Sequence, residues 1–214
     1  MELLYKIFLY AVPILLAVSL HEAAHGWIAY LLGDSTARQL GRLTANPLKH
    51  IDPVGTVIVP AVMIILIGLP FGWAKPVPVD VRNFVNPQKD MALVALAGPV
   101  SNFIMAIFWT VMMLIALKVL PSGGLAASIR LMAEVGVVIN LVLMVLNLLP
   151  VPPLDGGRIV TGIVPFSVAV IIARFEMLGM VIVIFLLATG ILGKILMPMV
   201  QALQKNLFAV FGIG

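Results

Sequence analysis

Leu4–Leu32 reads LYKIFLYAVPILLAVSLHEAAHGWIAYLL, an apolar run with one dense ionisable cluster near its end, His21-Glu22-Ala23-Ala24-His25. The run is long enough to cross a bilayer as one helix, since about 20 apolar residues span the hydrocarbon core. On a helix, residues four apart share a face, so His21 and His25 present their imidazoles together. Glu22 stands beside them. Ionisable groups at membrane depth are costly and read first as functional. The pattern predicts a metal gripped by both histidines, with Glu22 as base toward a metal-bound water. Two structural histidines with a salt-bridged glutamate are the blander reading, and one better suited to a soluble helix.

The rest of the composition agrees with a membrane setting. Of 214 residues, 62% are hydrophobic and 10% charged, and the mean hydropathy is +1.18. Soluble domains carry about 25% charged residues. The chain is therefore expected to be one integral membrane domain over 1–214, an all-α polytopic bundle. It has no cysteine, so any metal must use imidazole and carboxylate, as hydrolytic zinc sites do. The net charge of +4 comes from scattered basic residues without aromatic interleaving, which points to membrane topology and away from nucleic acid. The first apolar run is too long for a secretory signal and reads as a retained span.

Working outward, Gly33-Asp34 ends the first helix, and a polar loop over 34–53 carries Arg38, Arg42, Lys49 and His50. Segments 91–120, 131–149 and 177–197 read as spans. Segment 54–71 is apolar but broken by Gly55, Pro60, Gly68 and Pro70. It reads as re-entrant, with a true span as the alternative. Basic residues on both flanks, Arg38, Arg42 and Lys49 before it and Lys75, Arg82 and Lys89 after it, put both flanks in the cytoplasm. Residues 159–173 are expected along the interface, and 198–214 as an interfacial helix. About five membrane segments result. The catalytic core is placed at about 4–160, with the last span and tail over 161–214.

A catalytic zinc needs a third protein ligand. Asp155 is the best candidate: it follows Pro150-Val151-Pro152-Pro153-Leu154, and Gly156-Gly157 allow a tight turn. The alternative is an N-cap for the next helix. The stretch Phe71-Gly72-Trp73-Ala74-Lys75-Pro76-Val77-Pro78-Val79 reads as an extended hairpin or edge strand, since edges tolerate proline. An unwound substrate would add to it as a strand at Trp73, Ala74 and Lys75; an ordinary surface loop is the other reading. His50 is expected to be solvated or interfacial.

Three motifs in order, His21-Glu22-Ala23-Ala24-His25, Ala97-Gly98-Pro99-Val100-Ser101-Asn102 and Asn147-Leu148-Leu149-Pro150-Val151-Pro152-Pro153-Leu154-Asp155-Gly156-Gly157, resemble the site-2 protease family of intramembrane zinc metalloproteases. Gly41-Arg42-Leu43-Thr44-Ala45-Asn46-Pro47 through Ile51-Asp52-Pro53 is similar to its compact prokaryotic branch. The resemblance implies one Zn2+ on His21, His25 and Asp155, with Glu22 as general base. It implies a catalytic Asn102 that positions substrate or a developing oxyanion, and a substrate-binding Asn147. Interhelical hydrogen bonding is the alternative for both amides. It also implies a membrane-dipping β-hairpin at 71–79 and a transmembrane protein or peptide as substrate, and the compact form points to a prokaryotic cytoplasmic membrane. The late position of His21 in its helix and the basic flanks put the opening of the site on the cytoplasmic side. No segment is long enough for a PDZ domain. Rival readings are a prenyl-type membrane protease, whose third ligand would be Glu134 or Glu176, and a metal transporter or inactive scaffold.

Overall fold

The computed structural model describes residues 2–59, 62, 65, 72 and 74–213. These form α1 (Glu2–Leu31), a single turn α2 (Thr36–Gln39), α3 (Pro87–Lys118), α4 (Gly124–Asn147), α5 (Asp155–Ile163), α6 (Phe166–Arg174), α7 (Glu176–Ala188) and α8 (Ile191–Val210). Leu4–Leu31, Pro87–Lys118 and Gly124–Asn147 are long and apolar enough to cross a membrane. Among the described residues, a fourth span arises only if α6 and α7, bent by 54°, are one broken crossing. The protein is thus a helical integral membrane protein.

The expected count of about five segments does not hold among the described residues. The span expected over 177–197 is cut at Gly190, whose φ of 72° is left-handed and starts α8 at Ile191. Glycine accepts that conformation freely and so closes one helix and opens the next. The tail is not a separate interfacial helix from 198. α8 begins earlier and buries Leu192, Leu196 and Val200, four apart on one face. The interfacial stretch 159–173 divides at Pro165, which ends α5 and caps α6.

The β-hairpin expected over 71–79 is also absent: no strand occurs among the described residues, and 74–80 has no regular structure. Pro76 and Pro78 lack the N–H a ladder needs. Several polar groups of this strap bond elsewhere. Lys75 N–H donates to His50 O at 2.9 Å, and Arg42 Nη2 donates to Lys75 O at 3.0 Å and Pro76 O at 3.3 Å. Trp73 and most of 54–71 lie outside the described residues. The re-entrant reading of 54–71 thus falls largely outside them; the described flanks on either side of it are joined by the His50–Lys75 bond.

α1, α3 and α4 pack in a triangle. Lipid is as apolar as leucine, so burying leucine does not drive helices together in a bilayer; close backbone approach does. Accordingly Ala17, Ala106, Ala116 and Ala133 are wholly buried, whereas Phe8, Ile104 and Phe108 face outward. Trp109 fills the space left by Gly136 on α4.

At the end of α1 the chain turns through Gly33 into a clasp. Asp34 is fully buried. Its carboxylate accepts from Thr36 N at 3.1 Å, Thr36 Oγ1 at 2.5 Å, Asp80 N at 2.8 Å and Asn83 Nδ2 at 2.8 Å. Burial opposes its charge, but these four bonds outweigh it and hold the carboxyl below its ordinary value. A depressed folded-state pKa stabilises the fold above the unfolded value of about 3.9 and loses that contribution as pH falls through and below it. Asp34→Asn is therefore expected to melt lower than wild type at pH 7 in detergent. The gap should narrow as pH drops below about 4, which thermal unfolding against pH will show.

Candidate metal centre

His21 and His25 lie one turn apart on α1, their rings edge to face with centroids 4.6 Å apart. His25 Nδ1 lies 2.7 Å from Val94 O. A carbonyl only accepts, so this nitrogen carries the proton. His21 Nδ1 lies 2.6 Å from Asn102 Oδ1. The Asn102 amide is oriented by its other bonds, donating from Nδ2 to Asn140 Oδ1 at 2.9 Å and Ala17 O at 3.3 Å. Its Oδ1 must then accept, and His21 Nδ1 is also protonated. In the neutral rings both Nε2 atoms therefore present lone pairs.

Those lone pairs meet each other and a carboxylate. The two Nε2 atoms are 3.0 Å apart. Asp155 Oδ2 lies 3.2 Å from His21 Nε2 and 3.4 Å from His25 Nε2. Asp155 is buried, and its Oδ2 has no hydrogen-bond partner. Three electron-rich atoms converging out of water repel each other unless a cation sits between them. A tetrahedral zinc with ligands at about 2.0–2.1 Å sets their atoms roughly 3.3 Å apart. The observed separations match that spacing, so the residues present fit zinc. Among the described residues His21, His25 and Asp155 form the one metal-competent group, and Glu134 and Glu176 are not in it.

Asp155 is delivered by local sequence. Pro150, Pro152 and Pro153 prevent α4 from continuing. Asp155 is the first residue of α5, with Leu154 at the N-cap and no side-chain cap bond, so the carboxylate is free to face the histidines. The positive end of the α5 dipole favours its charge. Gln88 ties the other end of α5 to α3, donating to Thr161 O at 2.6 Å and Val164 O at 2.7 Å. Gly98 admits α3 against the imidazoles: a Cβ there would stand 2.5 Å from His21 Cε1 and 2.6 Å from His25 Cε1.

The other expected site residues are placed as follows. Glu22 Oε2 accepts from Val77 N–H at 2.9 Å. Asn102 is fully buried and its amide hydrogens are both engaged. Asn147 bonds back to Leu143 O in its own helix at 3.0 Å and does not join the cluster. Ala74 and Lys75 lie on the strap, Lys75 exposed. His50 is not solvated. It is 2% exposed, and its Nε2 donates to Thr44 O at 2.9 Å. Burial follows because the loop 42–50 folds over itself and meets the strap at His50 O.

Asn140, Gln88 and Arg42 were not legible as site residues. Asn140 lies seven residues before Asn147 in an apolar span, which was its one signal. An apolar cavity of about 480 Å3 opens on another face of α1, among Leu20, Ala24, Trp27, Leu43, Ala97 and Ile104. It is lined by none of the metal-facing residues.

A two-histidine, one-carboxylate zinc site on a His-Glu-x-x-His helix inside membrane-length helices defines a membrane metalloprotease. Comparison with known proteins agrees. Residues 123–190, from the start of α4 to the end of α7, match peptidase family M50. The chain is 36% identical over 202 residues to "Putative zinc metalloprotease YwhC" of Bacillus subtilis, covering 94% of this chain and 89% of that protein. It is 30% identical over 181 residues to "Putative zinc metalloprotease Rip2" of Mycolicibacterium smegmatis, covering 84% and 66%. The Rip2 of Mycobacterium tuberculosis strain Erdman is 32% identical over 142 residues, which is 52% of its length. No solved structure matches. The chain belongs to peptidase family M50, the site-2 protease family, and is a zinc metalloprotease.

Partners of a metal-bound histidine fix its tautomer and aim, and losing one typically costs 10- to 100-fold in metal affinity. Asn102→Leu is therefore expected to weaken zinc binding by about that factor with helix content intact, measured by chelator competition and circular dichroism. Gly98→Ala should also weaken zinc binding, although alanine is the better helix former.

Proposed function

We propose that this protein is an intramembrane endopeptidase that hydrolyses a peptide bond in or near a transmembrane segment of a membrane protein. The observation that carries this reading is the position of the zinc ligands: His21 and His25 lie within the span Leu4–Leu31, and Asp155 is buried against them. A soluble peptide has no reason to meet such a site, whereas a membrane-embedded one is already at its depth.

Zinc bound at these residues supplies an acidified water, with a pKa near 7, and an electrophile for the scissile carbonyl. Glu22 is the general base. The Val77 amide occupies its Oε2, and Oε1 is left to take the proton from water and pass it to the leaving amine. Asn102 acts through His21, holding it in the tautomer that offers Nε2 to the metal. A helical peptide bond is shielded by its own hydrogen bonds, so the substrate unwinds before attack, with the strap residues Ala74 and Lys75 as its place of contact.

Water reaches the site from the side of the 34–53 loop, since His21 and His25 lie late in α1. Arg38, Arg42, Lys49, Lys75, Arg82 and Lys89 gather on that side of the sequence, and the positive-inside tendency makes it cytoplasmic. The similarity to the compact prokaryotic branch makes the bilayer a prokaryotic cytoplasmic membrane.

The test is cleavage of a single-span reporter by the zinc-loaded protein in detergent. Wild type is expected to cut within the span. Glu22→Gln should keep its zinc and lose cleavage by roughly 10^3-fold or more, and Asp155→Ala should lose zinc and cleavage together. Glu134→Gln and Glu176→Gln should retain both. Zinc retention without cleavage of any helix-destabilised reporter by wild type overturns the protease reading for membrane substrates.

A further inference from the structure

The site has a wall that is neither helix nor side chain. The strap 74–80 passes α1 one turn beyond Glu22, where Gly26 leaves no room for a side chain: a Cβ there would lie 2.9 Å from Val77 Cγ1 and 2.7 Å from Leu43 Cδ2. Val77 is itself buried, at 8% exposure. Its N–H points at Glu22 Oε2, 2.9 Å away.

The strap is held from behind by Arg42. Its Nη1 donates to Lys49 O, and its Nη2 to Lys75 O and Pro76 O. Lys75 N–H closes onto His50 O. One guanidinium thus grips three carbonyls on two loops, directly before the amide that meets Glu22. Pro76 and Pro78 fix φ on either side of Val77. A proline-bracketed segment loses little conformational entropy when ordered. These features give one backbone N–H a defined place although no sheet holds it.

We propose that the Val77 backbone amide is a positioning group for the catalytic base: it holds one oxygen of Glu22 so that the other faces the water, and Arg42 sets the amide's position. This rests on the proposed role of Glu22. The amide is not a catalytic residue, because it acts only through the carboxylate. A hydrogen bond to a charged group is worth roughly 10- to 100-fold in an equilibrium or rate.

The test separates the amide from the side chain. Val77→Ala trims the buried side chain and keeps the N–H. Val77→Pro, in a run already bracketed by prolines, removes the N–H. With the zinc-loaded protein and the single-span reporter, kcat of Val77→Pro is expected to fall about 10- to 100-fold below that of Val77→Ala, with KM and zinc content matching. Arg42→Ala should lower kcat in the same sense, with Arg42→Lys restoring part of it.

Deuterium exchange reads the same bond without turnover. Within 76–79 only Val77 and Val79 carry exchangeable amides, and exchange there is expected to quicken in Glu22→Ala. Equal kcat for Val77→Pro and Val77→Ala, or exchange unchanged by Glu22→Ala, overturns the proposal. If wild type itself cuts no reporter, the protease reading falls first and takes this role of the amide with it, even if the exchange result shows the bond.

Discussion

Two imidazole nitrogens and a carboxylate oxygen face one another within 3.4 Å, away from water and inside apolar helices. Without a cation between them, such a contact is unfavourable. Much of the surrounding structure keeps that convergence from relaxing. Val94 O and Asn102 Oδ1 take the Nδ1 protons, which forces both lone pairs inward. Gly98 lets α3 press against the rings, and Gln88 anchors the helix that presents Asp155. Metal affinity here is built by fixing donors in advance rather than by letting them gather around the ion.

This demand explains why the three long helices share a polar axis. Ala17, His21, Asn102 and Asn140 belong to α1, α3 and α4, and one amide touches all the others. In a bilayer an amide without partners is expensive, so the network also specifies which faces of the helices meet. The same side chains orient the ligand and select the packing. Small residues then bring the backbones close, and large apolar side chains such as Phe8, Ile104 and Phe108 are left for lipid.

The sequence carried the site better than the fold around it. Spacing of four on an apolar helix is a local property, so His21 and His25 were legible, and Asp155 stood out as a carboxylate after a proline-broken span. The long spans α1, α3 and α4 followed from hydropathy over their whole length. Gly190 was missed because a single glycine hardly alters mean hydropathy, although its φ decides where α7 ends and α8 starts. Asn140, Gln88 and Arg42 were missed because their partners lie 38, 73 and 33 residues away. No local pattern encodes such pairings. His50 looked solvated beside Lys49, yet the loop folds back on Thr44 and buries it.

The hairpin expectation failed for a reason that bears on mechanism. Alternating prolines do suggest an extended edge, but they also remove every second donor, so the strap cannot join a sheet by its own backbone. Held instead by a guanidinium and by Glu22, it keeps its conformation without spending its amides on strand partners. One N–H goes to Glu22 and another to His50 O. A paired strand would have satisfied its amides internally and offered none to the carboxylate. The loss of regular structure at 74–80 is what makes a backbone donor available beside the Glu22 carboxylate.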